Sequence, residues 1–325
     1  MVAGLASLIA FAVQAAEFKP AVVYDMGGKF DKSFNEAAFA GAEKFKADTG
    51  IEYRDFEIQN EAQREQALRR FAQQGYSPII AIGFSHAAAV EKVAAEFPEV
   101  QFGIVDMVVD QPNVRSILFK EHEGSYLVGV MAALASDSGK VGFVGGMDIP
   151  LIRKFACGYV GGVKATKPDA EIFQNMTGDT PTAWNDPAKG AELTRSQIDR
   201  GADVIYHAAG GTGVGVLQAA ADAGKLGIGV DSNQNGMQPG HVLTSMLKRV
   251  DQAVYAAFID AKDGQYTPGF YVLGLKEGGV GYALDEFNAG LVTPEMKKAV
   301  DEAAAKIISG EIVVHDYMSD SSCPY

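Results

Sequence analysis

A regular alternation of short apolar runs with longer helical segments is the feature of this sequence that most constrains its fold. One series of such units begins at Ala21, and a second begins at Gly139. Strands that alternate with helices are typical of βαβ units, which form parallel sheets. The sequence therefore predicts an α/β protein of two Rossmann-like lobes, each with a parallel sheet. A last apolar run, Ile312–Tyr317, predicts a final strand.

The two series follow one another without a low-complexity linker. Lobes joined by short, ordinary segments are expected to share a hinge of several crossings, with a cleft between them. We expect three crossings, near residues 120, 246 and 277. The predicted N-terminal lobe comprises residues 17–120 and 247–277, and the predicted C-terminal lobe comprises residues 121–246 and 278–325.

The first residues carry an uncharged apolar run, Val2–Val13, followed by the small residues Ala15 and Ala16. A run of about a dozen residues is too short to span a bilayer, which takes about 20. Small residues after such a run are typical of a signal-peptidase site. We therefore predict a signal peptide over residues 1–16 and export to the periplasm, with a buried N-terminal helix as the alternative. No cysteine follows the run, so no lipid anchor is expected there.

The formal net charge of −13 argues against partners that need a basic surface. Nucleic acids and anionic membranes attract clustered Lys and Arg side chains, so we expect neither to bind. The charge does not exclude neutral or cationic small molecules as ligands. The two cysteines, Cys157 and Cys323, can form a disulfide in an oxidising compartment, but the sequence leaves their pairing open. Neither has the Cys or His neighbours of a metal site, and we predict no cofactor.

Three aspartates end apolar runs at equivalent places: Asp25, Asp106 and Asp231. In open α/β sheets the ligand crevice lies beyond the carboxyl ends of the strands. A carboxylate in that position accepts two hydrogen bonds at once, which suits a vicinal diol or the N–H edge of a base. The three residues therefore predict a site for a small ligand that carries several donors.

Aromatic residues are expected to complete this site. Phe34 and Asn35 begin the first helical pattern and should face the crevice, because its first turn lies beyond the tip of the first strand. The alternative is that Asp31 or Ser33 only caps this helix and that Phe34 belongs to the core. Trp184 lies in a polar, proline-bounded loop, which favours a residue that covers a ligand. Phe34 and Trp184 together predict an aromatic sandwich around a flat ring.

A glycine-rich turn, Ala209–Gly215, follows an apolar run and begins a helical pattern. Its spacing does not match a dinucleotide-binding fingerprint, because the third glycine of that motif would fall at Val216. We keep only the ribose part of the motif, with Asp231 and Gly211 beside a sugar. Lys248 is the single cation expected near these carboxylates.

Several segments together resemble the basic membrane protein (Bmp) family of periplasmic solute receptors, whose type member is a bacterial purine nucleoside receptor. They are Asp25–Gly28 with Asp31–Asn35, Glu123–Gly129, Gly142–Gly146, Trp184–Pro187 and Gly229–Ser232. The resemblance implies a type I periplasmic-binding-protein fold and delivery of the ligand to an ABC permease in the inner membrane. It also implies a purine stacked between Phe34 and Trp184, its edge read by Asp25, Asn35 and Asp106, and a ribose held by Asp231 and Lys248 near Gly211.

Other functions compete with a nucleoside receptor. Members of the family commonly have phenylalanine where this chain has Trp184, which leaves a free purine or a larger ring such as flavin as alternative ligands. A nucleoside-acting enzyme would need a tight aspartate cluster for a divalent cation, whereas Asp25 and Asp31 have five residues between them. The sensing domain of a transcription regulator shares the two-lobed fold, but the export signal argues against it. We predict a monomeric receptor rather than an enzyme.

Overall fold

The computed structural model describes residues 18–325, and the predicted signal peptide over residues 1–16 lies outside them. The described strands are β1 (Ala21–Tyr24), β2 (Arg54–Glu57), β3 (Ile79–Ala81), β4 (Phe102–Val105), β5 (Val114–Phe119), β6 (Lys140–Met147), β7 (Glu171–Gly178), β8 (Val204–Ala208), β9 (Leu226–Asp231), β10 (Val242–Lys248), β11 (Gly269–Leu273) and β12 (Val280–Tyr282). The described helices are α1 (Phe34–Thr49), α2 (Gln63–Gln73), α3 (Ala87–Glu96), α4 (Glu121–Ala135), α5 (Pro150–Thr166), α6 (Pro187–Asp199), α7 (Gly213–Asp222), α8 (Val250–Lys262) and α9 (Pro294–Ser309).

The strands form two six-stranded sheets, one in each lobe. The first has the order β11-β5-β4-β3-β1-β2, and all of its strand pairs are parallel. The second has the order β12-β10-β9-β8-β6-β7, in which β12 alone runs antiparallel to its neighbour. The prediction of two α/β lobes with parallel sheets is confirmed.

Helices cover the sheets and bury their central strands. Strand β1 is an unbroken apolar run and is wholly buried, as expected for a parallel strand covered on both faces. In the second lobe α4 packs closely on α5, where a Cβ at Gly129 would lie 2.3 Å from Tyr159 O and one at Gly162 would lie 2.0 Å from Tyr126 O. The glycines therefore permit this close approach. None of the described helices is both long and apolar enough to cross a membrane.

The chain passes between the two sheets at three places: from β5 to α4, from β10 to α8, and from β11 to β12. Hydrogen bonds join these passages. Lys120 N donates to Leu273 O over 3.0 Å, and Arg249 N donates to Gly279 O over 2.8 Å. Such bonds tie neighbouring hinge segments together. The lobe boundaries given above stay a prediction.

The C-terminal segment differs from the prediction. Residues 312–317 do not form the expected strand. Their apolar alternation instead buries Val314 against the core of the second lobe, while Val313 is 84% exposed. The apolar alternation of this segment therefore reflects side-chain packing and not pairing with a neighbouring strand. The segment beyond ends at α5, where Cys157 and Cys323 are joined by a disulfide with a Cα–Cα distance of 5.6 Å.

Candidate ligand-binding site

A cavity lies between the lobes, at the carboxyl ends of strands from both sheets. It has about 600 Å³ of space free of protein atoms, part of it open to solvent. Seven of the eight residues named from the sequence line it: Asp25, Phe34, Asn35, Asp106, Trp184, Asp231 and Lys248. The eighth, Gly211, does not, and its neighbour Gly210 takes that place.

The tip of β1 is held by donors from its own lobe. Asp25 Oδ1 accepts hydrogen bonds from Met26 N and from Arg64 Nη2, each over 2.8 Å. Asp25 Oδ2 accepts one from Ser85 Oγ over 2.7 Å. Asn35 Oδ1 accepts from the backbone N–H of Asp25 over 3.1 Å. Arg64 was not predicted as a site residue, because it lies in a polar helix and carries no local signal of its role.

The start of α1 is capped by Asp31, as the alternative interpretation proposed. Asp31 Oδ1 accepts from the backbone N–H groups of Ser33 and Glu36, and its Oδ2 accepts from that of Asn35. Burial raises the pKa of Asp31 to about 6, although these N–H groups act in the opposite direction. Phe34 lies in the cavity wall rather than wholly in the core. The Ser33 hydroxyl does not cap the helix and instead points to the other lobe.

A buried ionic cluster borders the other side of the cavity. Lys248 Nζ lies 2.7 Å from Asp106 Oδ2 and 2.9 Å from Glu121 Oε1. Lys154 Nζ lies 2.9 Å from Glu121 Oε2. The expectation that Lys248 is the single cation near the carboxylates is therefore wrong, because Lys154 joins its cluster and Arg64 pairs with the tip of β1. These partners lie far apart in the chain, so no local spacing indicated them.

The carboxylates of the site titrate differently from one another. Burial raises the pKa of Asp106 to about 6 and that of Asp231 to about 6, although Lys248 opposes both shifts. Burial also acts to raise the pKa of Glu121, but Lys248 and Lys154 outweigh it and lower that pKa to about 2. Burial alone would lower the pKa of Lys248. Its carboxylate neighbours outweigh burial and hold that pKa above its ordinary value. The site thus holds an ionised Lys248 beside two carboxylates that gain a proton only slightly below neutral pH.

Two carboxylate oxygens remain available to a ligand. Asp106 Oδ1 is buried and has no hydrogen-bond partner within residues 18–325. No described residue donates to Asp231 Oδ1. The Ser33 hydroxyl donates to the other oxygen of this carboxylate, Oδ2. A buried acceptor without a donor is costly, and a ligand donor would remove that cost. Asp106 and Asp231 also have positive φ angles of 71° and 64°, which non-glycine residues adopt rarely.

Both aromatic rings of the site have protein on one side. Lys248 Nζ lies 5.0 Å from the centroid of the Phe34 ring, a cation–π distance. The Trp184 ring lies against Gly146, where a Cβ would be 2.1 Å from Trp184 Cζ3. Phe34 and Trp184 both border the cavity with their remaining surface. An apolar wall from the start of α5 completes the lining, and it includes Phe155, which the sequence analysis did not name.

The sequence matches a known family over most of its length. A family model described as Bmp, ABC transporter substrate-binding protein PnrA-like, matches residues 18–317. The CD4+ T-cell-stimulating antigen of Listeria monocytogenes is 36% identical over 92% of this chain and 88% of its own length. A protein of Lactococcus lactis named ABC transporter nucleoside-binding protein BmpA is 35% identical over 92% of this chain and 89% of its own length.

A solved structure gives the same answer for the fold. An ABC transporter solute-binding protein of Aeropyrum pernix superposes with a TM-score of 0.84 at 31% identity, over 92% of this chain and 94% of that one. The predicted type I periplasmic-binding-protein fold is confirmed. The predicted resemblance to the Bmp family is confirmed as well.

Proposed function

We propose a ligand for this chain on the premise that it belongs to the Bmp family, the PnrA-like substrate-binding proteins of ABC transporters. Proteins of this kind bind a small solute and deliver it to a permease. The proposed solute is a purine nucleoside. The name of the Lactococcus lactis relative, a nucleoside-binding protein, supports this choice.

In the proposed complex the purine stacks between Phe34 and Trp184, and its edge meets Asp25, Asn35 and Asp106. The observation that carries the proposal is the unpartnered oxygen of Asp106 in a cavity that both rings border. An acceptor there favours a ring that carries an N–H donor at its edge. Stacking on an aromatic side chain contributes about 1–3 kcal/mol per base.

The ribose lies at the opposite end of the proposed complex. Asp231 Oδ1 is available to accept from sugar hydroxyls, and a carboxylate suits a vicinal diol. Lys248 is close to this end but is already bonded to Asp106 and Glu121, so it has at most one N–H left for the sugar. Gly211 stays near the ribose as a backbone neighbour behind Gly210.

Charge favours a nucleoside over a nucleotide. Five carboxylates lie in or beside the cavity, at Asp25, Asp31, Asp106, Glu121 and Asp231. Three cations, at Arg64, Lys154 and Lys248, are each paired with at least one of them, and Lys248 is paired with two. A phosphate adds nearly two negative charges at neutral pH, and among residues 18–325 it would meet no unpaired cation in this cavity.

Calorimetry with inosine, guanosine, adenosine, their free bases, their monophosphates and riboflavin tests the ligand. We expect nucleosides to bind most tightly and monophosphates least tightly. Equal binding of monophosphates would contradict the proposal, and tighter binding of riboflavin or a free base would replace the ligand by that ring. Mass spectrometry of ligand released from gently purified protein provides an independent check.

We also propose that the chain is exported, loses residues 1–16, and acts as a periplasmic monomer that delivers its ligand to an inner-membrane permease without catalysing a reaction. Intact-mass measurement of protein from the periplasm should give a chain that begins near Ala16 or Glu17. Chains that retain Met1 in that fraction would contradict cleavage. Prolonged incubation with nucleosides should release no free base, whereas base release would indicate an enzyme.

A further inference from the structure

Hydrogen bonds outside the cavity join residues 32–33 of the first lobe to residues 230–234 of the second. Ser33 Oγ donates to Asp231 Oδ2 over 2.5 Å, and Ser232 Oγ donates back to Ser33 O over 2.8 Å. Ser33 is wholly buried at this contact. The segment that leads into α1 is thus bonded to the end of β9 and to the turn that follows it.

Gln234 provides a second bond across the cleft from a fixed position. Its Nε2 donates to Lys32 O over 2.9 Å. Its Oε1 accepts from Val230 N over 2.9 Å and lies 2.9 Å from His207 Nε2. Burial lowers the pKa of His207 to about 4, so the ring is neutral and its Nε2 proton can point at Gln234. The second lobe therefore holds this amide in place, and only its N–H reaches the first lobe.

The backbone on both sides of this contact is in an unusual conformation. Lys32 has a φ of 63° and Asp231 has a φ of 64°, although neither is glycine. Non-glycine residues persist in this region only where surrounding contacts determine it. None of Ser33, Ser232 and Gln234 lines the cavity. These three side chains consequently act on a ligand only through Asp231 and through the closure of the lobes.

We propose that Ser33, Ser232 and Gln234 form an interlobe latch that holds the closed form and positions Asp231 for the ligand. This inference rests on the proposed function, because it treats the cavity as the ligand site. The latch stabilises closure whether or not a ligand is bound. It is broken when the lobes open, so it slows ligand release, and in the ligand-free chain it limits ligand capture to the fraction of molecules that is open. Ser33, Ser232 and Gln234 are positioning residues, because a bound ligand would contact Asp231 and not these three side chains.

Stopped-flow fluorescence can measure the latch, because Trp184 is the single tryptophan of the chain and borders the cavity. Inosine and adenosine serve as the probes. The variants Ser232→Ala and Gln234→Glu each remove a donor that crosses the cleft, and Gln234→Glu keeps the acceptor toward Val230. We expect each to raise the dissociation rate about three- to tenfold, as the loss of one hydrogen bond predicts. The association rate should not fall, because the ligand-free variants are open for more of the time and a ligand enters only the open form.

The matched control is Ser116→Ala, which removes a buried hydroxyl that bonds only to Val109 within the first lobe. Dissociation rates equal to that of the control would overturn the latch. Small-angle scattering of ligand-free protein supplies a second measurement. The double variant Ser232→Ala, Gln234→Glu should have a larger radius of gyration than the control, and equal radii would overturn the latch too. If neither nucleoside binds the unaltered chain, the proposed ligand fails, while scattering still decides the latch.

Discussion

The tips of β1 and β9 both present a carboxylate to the cleft, but they hold it in different ways. Asp25, just after β1, accepts from three donors of its own lobe, including Arg64 and Ser85. Asp231, at the end of β9, takes its side-chain partner from the other lobe, where Ser33 donates to it. The first tip is therefore complete within one lobe, whereas the second is complete only when the lobes meet.

This difference assigns the two lobes different parts in binding. A carboxylate held by its own lobe is already oriented before a ligand arrives, which lowers the entropic cost of binding. A carboxylate whose partner lies across the cleft instead couples the ligand to closure. Ligand and closed form then favour each other, because each improves the site that the other uses. Binding at the proposed ribose end should thus depend on closure of the lobes, whereas binding at the proposed base end should not.

The largest expected effect concerns the second lobe, which alone carries the disulfide. Replacing the pair by Cys157→Ala, Cys323→Ala opens a loop with a sequence separation of 166. The chain-entropy relation gives a loss of roughly 5 kcal/mol in the free energy of unfolding, as an upper figure. Guanidinium denaturation followed separately in each lobe should show the loss in the second. Two titratable thiols in the denatured, non-reduced wild-type chain would contradict the bridge itself.

A smaller loss should follow from breaking the ionic cluster between the lobes. Lys248→Met leaves Asp106 and Glu121 without their shared cation, and removing one partner of a buried pair costs about 3–5 kcal/mol. Arg64→Met is the matched change at the tip of β1, where Ser85 and Met26 still bond the carboxylate. We expect it to cost only about 1.5–3 kcal/mol. Equal losses in chemical denaturation would contradict the contrast between the two tips.

The sequence predicted the strand tips better than their partners, for a physical reason. Asp25 and Asp106 follow buried parallel strands and Asp231 ends one, and such strands are visible as apolar runs with a polar residue at the end. Arg64 lies on a polar helix and Lys154 on a largely apolar one, and only the fold shows which carboxylate each of them meets. The strand predicted at residues 312–317 failed similarly, because alternation records burial of Val314 but not whether a neighbouring strand exists.

Ligand binding should separate the base end from the ribose end. Trp184→Ala removes a stacking surface and should cost about 1–3 kcal/mol for nucleosides and free bases alike. Asp231→Ala leaves the sugar hydroxyls without their acceptor. It should cost a similar amount of binding free energy for nucleosides but nothing for free bases. Calorimetry with inosine and hypoxanthine measures both. A loss from Asp231→Ala that is equal for the two ligands would show that the ribose lies elsewhere.

The smallest effect at neutral pH, and the one that separates binding from stability, is the response to acid. Asp106 and Asp231 have pKa values of about 6 in the folded chain, raised by burial from the ordinary value of 3.8. A raised pKa stabilises the folded state below about pH 4, and this contribution is lost as the pH rises through about 6. Acceptance of ligand donors by the carboxylates has the opposite dependence, because it requires them to be ionised.

Nucleoside affinity should therefore be nearly constant from pH 8 to 7 and fall about tenfold by pH 5 for each carboxylate that must lose a proton. Over the same range the ligand-free chain should become more stable because of these two groups. Asp231→Asn should remove the part of the fall in nucleoside affinity that comes from protonation of Asp231. The part that comes from protonation of Asp106 should remain. Free bases should show only that second part in both proteins. An affinity for inosine that stays flat between pH 7 and 5 would contradict this assignment, because the buried carboxylates would then not be the acceptors that the ligand meets.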